Sequence, residues 1–171
     1  NLFIVTGTNT DWALLNAQQL GFNKNFLQET ENYGARYHSS FSTFLQKDIG
    51  FEQFPPLKDA FGILNFYREH QDIVLQEIRG VETTQPLISF LEQEKQKIAV
   101  VFGEGIWRWR AASFLRSGTF QDFDQFIGNA VQYATAHKNK ARLEVNSEHL
   151  YASNTVINIA AFFTDTNYKF D

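Results

Sequence analysis

Cysteine and methionine are both absent from the 171 residues, and proline occurs only three times. The missing cysteines exclude disulfides, thiolate metal sites and cysteine nucleophiles, and they leave the redox compartment open. Long hydrophobic runs are missing too: no stretch approaches the ~20 apolar residues that a membrane-spanning helix needs. Positive charge is in deficit. Fifteen Lys and Arg face nineteen Asp and Glu, for a formal net charge of −4 and a pI of about 5.6. No basic field exists to hold nucleic acid.

What is present is core-building material: 43% of residues are hydrophobic and 16% aromatic, with 18 Phe. A chain of this length and composition forms one domain, or one domain and part of another. Asn1 leads directly into an apolar run and Asp171 closes an alternating one. The expectation is a piece of a longer protein.

The most informative stretch is 97–114. Residues 98–102, Ile-Ala-Val-Val-Phe, form an almost wholly apolar run that suits a strand buried on both faces. Gly103 and Gly105 bracket Glu104 and permit a tight turn. Trp107, Arg108, Trp109 and Arg110 follow, and Ala111, Ala112 and Phe114 continue in helix-compatible residues. Buried strand, glycine turn and helix start together describe a ligand-facing corner of an α/β domain.

Elsewhere, 2–5 reads as a buried strand. Thr10 is expected to cap a helix that Gly21 ends, with Asp11 in its first turn and Ala13, Leu14, Ala17 and Leu20 on one face. For the 7–10 turn, capping is preferred to anion binding. The polar stretch 29–42 reads as a solvated loop, with alternation at Tyr37, Ser39, Phe41 and Thr43 pointing to a strand near its end. Glu29, Glu31, Arg36 and His38 cluster there without ligand spacing, so incidental charge is preferred to acid–base or metal chemistry. At 51–57 Pro55 and Pro56 stiffen a connector, and Phe51 and Phe54 are expected to pin it to the core.

Strands are expected over 61–67, 72–78, 86–91 and 98–102. The last two form an antiparallel hairpin across the polar connection 92–97, so the sheet is expected to be mixed. Thr119 and Asp122 match a capping box, and Phe120, Phe123, Ile127, Val131 and Ala134 give the following helix an apolar face. His137, Lys138 and Lys140 lie beyond its end, where composition changes. Then 142–146 alternates and 155–163 is β-favouring. A two-stranded ribbon is barely stable alone, so this extension should dock on the main domain, pair with a neighbouring molecule or open a sandwich.

The octapeptide 103–110, Gly-Glu-Gly-Ile-Trp-Arg-Trp-Arg, carries a resemblance, together with Phe-Gln-Asp-Phe-Asp-Gln-Phe at 120–126 and Val-Gln-Tyr at 131–133. It resembles the class I glutamine amidotransferase-like domain of large bacterial membrane-anchored proteins, several of which also carry von Willebrand A-like segments. The Bacteroidetes branch is most similar, through Phe-Pro-Pro-Leu at 54–57 and Gly-Val-Glu-Thr at 80–83. The resemblance runs from Leu2 to about Tyr133. It implies a three-layer α/β fold of flavodoxin/amidotransferase type over 1–137, with its first strands lying before Asn1. A β-hairpin extension, or the start of a β-sandwich, then occupies 138–171. It also implies a periplasmic or otherwise extracytoplasmic place, beside a membrane helix outside this segment.

Authentic amidotransferases use a Cys nucleophile assisted by His and Glu. This chain has no cysteine, and neither His38 nor His70 sits in a matching motif, so the expectation is a pseudoenzyme without cofactor or metal. No residue is assigned as catalytic. The candidate ligand-binding residues are Glu104, Trp107, Arg108, Trp109 and Arg110, because Arg forks grip carboxylates or phosphates and indoles stack on ligands. On a helix Arg108 and Arg110 diverge; on an extended segment they share a face. The plainer reading, core-filling Trp and structurally paired Arg, is preferred.

Three functions remain in view. The first is a noncatalytic binding or scaffold domain of an envelope-associated protein, with a protein partner or self-association through 142–170. The second is a carbohydrate- or anion-binding module using the Trp/Arg cluster. The third is an acid–base enzyme using Glu104 with His38 or Asp11.

Overall fold

The computed structural model describes residues 1–93, 96–136, 143–146 and 160–163. The chain divides into two compact units, 1–135 and 136–171. In the first, β1 (Leu2–Val5), α1 (Trp12–Ala17) and β2 (Phe22–Tyr37) precede a 3-10 turn at Phe51–Gln53. Then come β3 (Leu57–Phe66), β4 (His70–Ile78), β5 (Val81–Gln93), β6 (Gln96–Val101), α2 (Trp107–Ser117) and α3 (Gln121–Thr135). In the second unit β7 (Leu143–Asn146) pairs antiparallel with β8 (Ala160–Phe163). His137, Lys138, Lys140, Arg142 and 155–159 lie outside the described residues.

Six strands form one sheet in the order β1-β6-β5-β4-β2-β3. β1 and β6 run parallel, from Leu2 opposite Ile98 to Val5 opposite Val101; the other neighbours are antiparallel. The fold is therefore mixed α/β, and the expected β5–β6 hairpin forms. Its polar connection belongs mostly to the strands, with Glu92 opposite Lys97 and Gln93 opposite Gln96. The sheet curls until the start of β3 reaches the turn after β6. There Lys58 N–H donates to Glu104 O at 3.1 Å and Glu104 N–H to Lys58 O at 2.9 Å.

β6 is buried on both faces, as its uninterrupted apolar run requires. Ile98 and Val100 point to a cluster with Trp12, Phe22, Leu64 and Phe102. Ala99 and Val101 point to the opposite cluster with Phe90, Trp109, Phe126 and Ala130. At β6, then, α1 lies over one face and α2 with α3 over the other. Burying Ile98, Val100 and Val101 contributes about 1.5–3 kcal/mol each.

Several local expectations are corrected. Residues 29–37 are not a loop: β2 continues through them, six consecutive residues from Asn25 to Thr30 being exposed while Tyr33 and Ala35 are buried, and β2 ends at Tyr37, so the alternation at 37–43 forms no strand. A polar strand running in solvent carries no two-residue apolar signal. α1 is capped by Asp11, whose carboxylate accepts the Leu14 N–H, and not by Thr10. It stops at Ala17, short of Leu20. On α3 the buried face is Phe123, Phe126, Ala130 and Ala134, while Val131 is 43% exposed and Phe120, which precedes the helix, 37%. Asp122 does not close a capping box; its carboxylate meets Lys47 Nζ at 2.9 Å.

Candidate functional site

The parallel strands β1 and β6 end side by side, and the loops that leave them meet. Thr6 N–H continues the ladder to Val101 O at 2.9 Å. Thr10 Oγ1 then accepts the Gly7 N–H at 2.8 Å, and Thr10 N–H donates to Gly7 O at 3.0 Å, making a closed turn. From the other loop Glu104 Oε1 accepts the Thr8 hydroxyl at 2.9 Å. Gly7 is required here, because a Cβ would overlap the Glu104 carboxylate. Gly103, at φ +150°, is required as well: its Cβ would come within 2.7 Å of Leu57 Cβ. Val5, Thr6, Gly7, Asn9, Thr10 and Glu104 line an open hollow of about 320 Å³.

Beneath this hollow lies a charged pair that sequence reasoning missed. Lys24 Nζ sits 3.0 Å from Asp59 Oδ2, with neither side chain exposed. Asp59 also accepts the Thr6 hydroxyl at 2.8 Å, Trp12 Nε1–H at 3.2 Å and the Ala60 N–H at 2.8 Å. Four donors on one carboxylate are what a buried anion needs. The ammonium lies 4.8 Å from the Trp12 ring centre and 5.4 Å from that of Tyr33. Burial pulls the Lys24 pKa below its ordinary value, against the upward pull of Asp59. Tyr33, whose hydroxyl donates to Ala60 O, is pushed up to about 12, first by burial and then by the Asp59 charge. A faint sequence signal existed: Lys24 alternates with Phe22 and Phe26, on the apolar face of a strand.

The Trp/Arg cluster is distributed along α2. Trp109 is wholly buried, its Nε1–H donating to Pro55 O at 2.7 Å and its ring packed on Phe51 and Phe54. Arg108 donates to Pro56 O and, at 3.4 Å, to Gly105 O. Arg110 leaves in another direction and grips both carboxylate oxygens of Asp124 at 2.7 and 2.9 Å, over the Phe120 ring. Helical spacing separates the two guanidinium groups. Trp107 is 72% exposed.

The other singled-out groups sit in separate contacts. Glu31 pairs with Arg79 at 2.7 Å and Arg36 with Glu82 at 3.5 Å, while His38 Nδ1 lies 3.0 Å from Asp72 O. Asp72 makes a second polar cluster that the sequence did not announce. It accepts the Ser89 hydroxyl, lies 3.6 Å from His70 Nε2, and has its pKa raised by burial, against the Ser89 bond and the two histidines. Among the described residues, no group of three or more His, Cys, Asp or Glu could hold a metal ion. No histidine hydrogen-bonds Glu104 or Thr8 among them either. The corner can offer a ligand hydroxyls, the Asn9 amide and one carboxylate. Compared with protein families, curated proteins and solved structures, the chain matches none.

Proposed function

We propose that the chain is a noncatalytic binding or scaffold domain of a larger envelope-associated protein, descended from a three-layer amidotransferase-like fold. One observation carries this reading: the corner where an α/β enzyme would place its chemistry is used to close the sheet. Glu104 spends both backbone groups on Lys58 and one carboxylate oxygen on Thr8. Trp109, Arg108 and Arg110 brace α2 against the Pro55–Pro56 carbonyls and Asp124. Side chains committed to such bonds are poorly placed to change partners during turnover. The same commitments weigh against an anion site on paired arginines, and Trp107 alone keeps an indole free for stacking.

Two measurements test the reading. Purified protein incubated with glutamine should release no ammonia above a protein-free blank, and turnover would overturn the noncatalytic assignment. In cells making the intact gene product, this segment should be cut by protease added from the periplasmic side. Protection there until the inner membrane is opened would overturn the envelope assignment.

A further inference from the structure

β3 and β4 follow each other in the chain but are not neighbours in the sheet, since β2 lies between them. Three residues, Tyr67, Arg68 and Glu69, make the connection past the start of β2. Tyr67 N–H donates to Gly21 O at 3.1 Å, and the Tyr67 hydroxyl accepts the Gly21 N–H at 3.2 Å. The connection thereby holds the turn between α1 and β2. His70 opens β4 at its exit, with the ring stacked on Phe66, centroids 3.9 Å apart and planes 16° from parallel. The two ring nitrogens face different acceptors: Nδ1 lies 3.2 Å from Arg68 O, and Nε2 lies 3.6 Å from Asp72 Oδ2.

A carbonyl oxygen only accepts, so Nδ1 carries a proton. In a neutral ring Nε2 is then a bare lone pair, facing a carboxylate oxygen that also only accepts. The contact is attractive with one more proton between the two groups, on Nε2 as an imidazolium or on Oδ2 as a carboxylic acid. We propose that His70 and Asp72 share that proton and form a pH-operated latch on the β3–β4 connection. Its loss to solvent sets two lone pairs against each other, and the ring turns away from Asp72, giving up its stack on Phe66. The neighbours of Asp72 do not replace the proton. From β5 the Ser89 hydroxyl donates to Oδ1, and from the end of β2 His38 Nδ1 donates to the Asp72 backbone oxygen at 3.0 Å. Among the described residues His70 and His38 are the charged groups acting on this carboxylate. Arg68 and Glu69 are exposed, the Arg68 side chain packing over Gly21. Burial raises the Asp72 pKa, the direction that favours keeping a proton on the pair, and the titration belongs to the pair as a whole. An open latch frees Gly21 and uncovers Phe66, which packs on Phe22 in the core beneath α1. The latch lies within the first compact unit and is independent of the noncatalytic reading above.

Hydrogen exchange of the full chain from about pH 5.5 to 8.5, corrected for the intrinsic pH dependence of exchange, spans the range in which histidine changes charge. The Tyr67 and Gly21 amides should lose about tenfold in protection as pH rises, the size of one hydrogen bond to a charged group. The amides of β6 should hold. His70→Gln presents an amide N–H to Asp72 at every pH and should remove the change, whereas His38→Gln should leave it in place. Protection that is flat with pH in the parent, or that falls as steeply in His70→Gln, overturns the proposal. A change abolished by His38→Gln assigns the effect to that histidine and overturns it as well. Should His70→Gln misfold, nuclear magnetic resonance of the parent decides. The Tyr67 and Gly21 amide shifts should move with the same midpoint as the His70 ring nitrogens, and amides that stay still or follow His38 overturn the latch.

Discussion

The Lys24 ammonium and the Asp59 carboxylate lie 3.0 Å apart with both side chains wholly withdrawn from water. This contact joins β2 to β3 and, through the Thr6 hydroxyl and Trp12 Nε1–H on the same carboxylate, ties in the loop after β1 and the start of α1. It underlies the candidate corner because it fixes the floor from which Thr6 rises.

Lys24→Met leaves that carboxylate buried without its counter-charge. A loss of about 3–5 kcal/mol is expected, measured as the shift in urea unfolding. The double variant Lys24→Met/Asp59→Leu removes both charges, and it should lose less than Lys24→Met alone despite the orphaned Thr6, Trp12 and Ala60 donors. A double variant as unstable as the sum of its parts would show that the two side chains act independently.

The two indoles of α2 should behave oppositely. Trp109 is fully buried against Phe51 and Phe54, so Trp109→Ala is expected to cost about 3–5 kcal/mol. Trp107 is 72% exposed, and Trp107→Ala should stay within about 0.5 kcal/mol of the parent. Equal losses in thermal melts would contradict this assignment of core and surface.

Gly103→Ala adds a methyl that must push Leu57 away and adopt a positive φ. A destabilisation of about 1–3 kcal/mol is expected from the strained backbone alone. Hydrogen exchange gives the sharper readout. The Lys58 and Glu104 amides, which bond each other's carbonyls, should lose protection before those of β4 and β5 do.

Asp72 sets a pH dependence whose sign follows from its raised pKa. Below the ordinary value of 3.8 the carboxyl is protonated whether folded or unfolded. As pH rises past that value the unfolded chain ionises first, so stability falls until the folded group has ionised too. Asp72→Asn keeps an acceptor for Ser89 and removes the ionisation. Its urea midpoint should lack the decline that the parent shows as pH is raised from about 4. A parent midpoint that climbs across that interval through this residue would reverse the sign and discard the account.

Several elements were legible because their signal is local. The run 98–102 has no polar residue to place outward, so it had to be covered on both sides, and it is. The two glycines around Glu104 marked a turn, and the Trp-Arg alternation was compatible with a helix, which sends Arg108 and Arg110 apart. β2 was not legible between 29 and 37, since its polar, solvent-facing residues at 29–32 look like a loop in composition and only Tyr33 and Ala35 beyond them are buried. The α3 face was misjudged by part of a turn, because Phe120 and Val131 are as apolar as Phe126 and Ala130. Only the position of the sheet distinguishes them.

By itself the sequence determined a mixed sheet with a doubly buried strand, a glycine corner and two helices behind it, because periodicity and backbone freedom act between near neighbours. It also ruled out thiol chemistry. Only the tertiary structure decided that β3 curls round to meet Glu104, that Asp59 collects its four donors, and that Asp72 lies between Ser89 and two histidines. Lys24, Trp12 and Thr6 stand 35 to 53 residues from Asp59, and Ser89 and His38 stand 17 and 34 residues from Asp72. Whether a polar side chain is a solvated charge or a buried partner depends on which distant strands converge on it, and that is settled by packing.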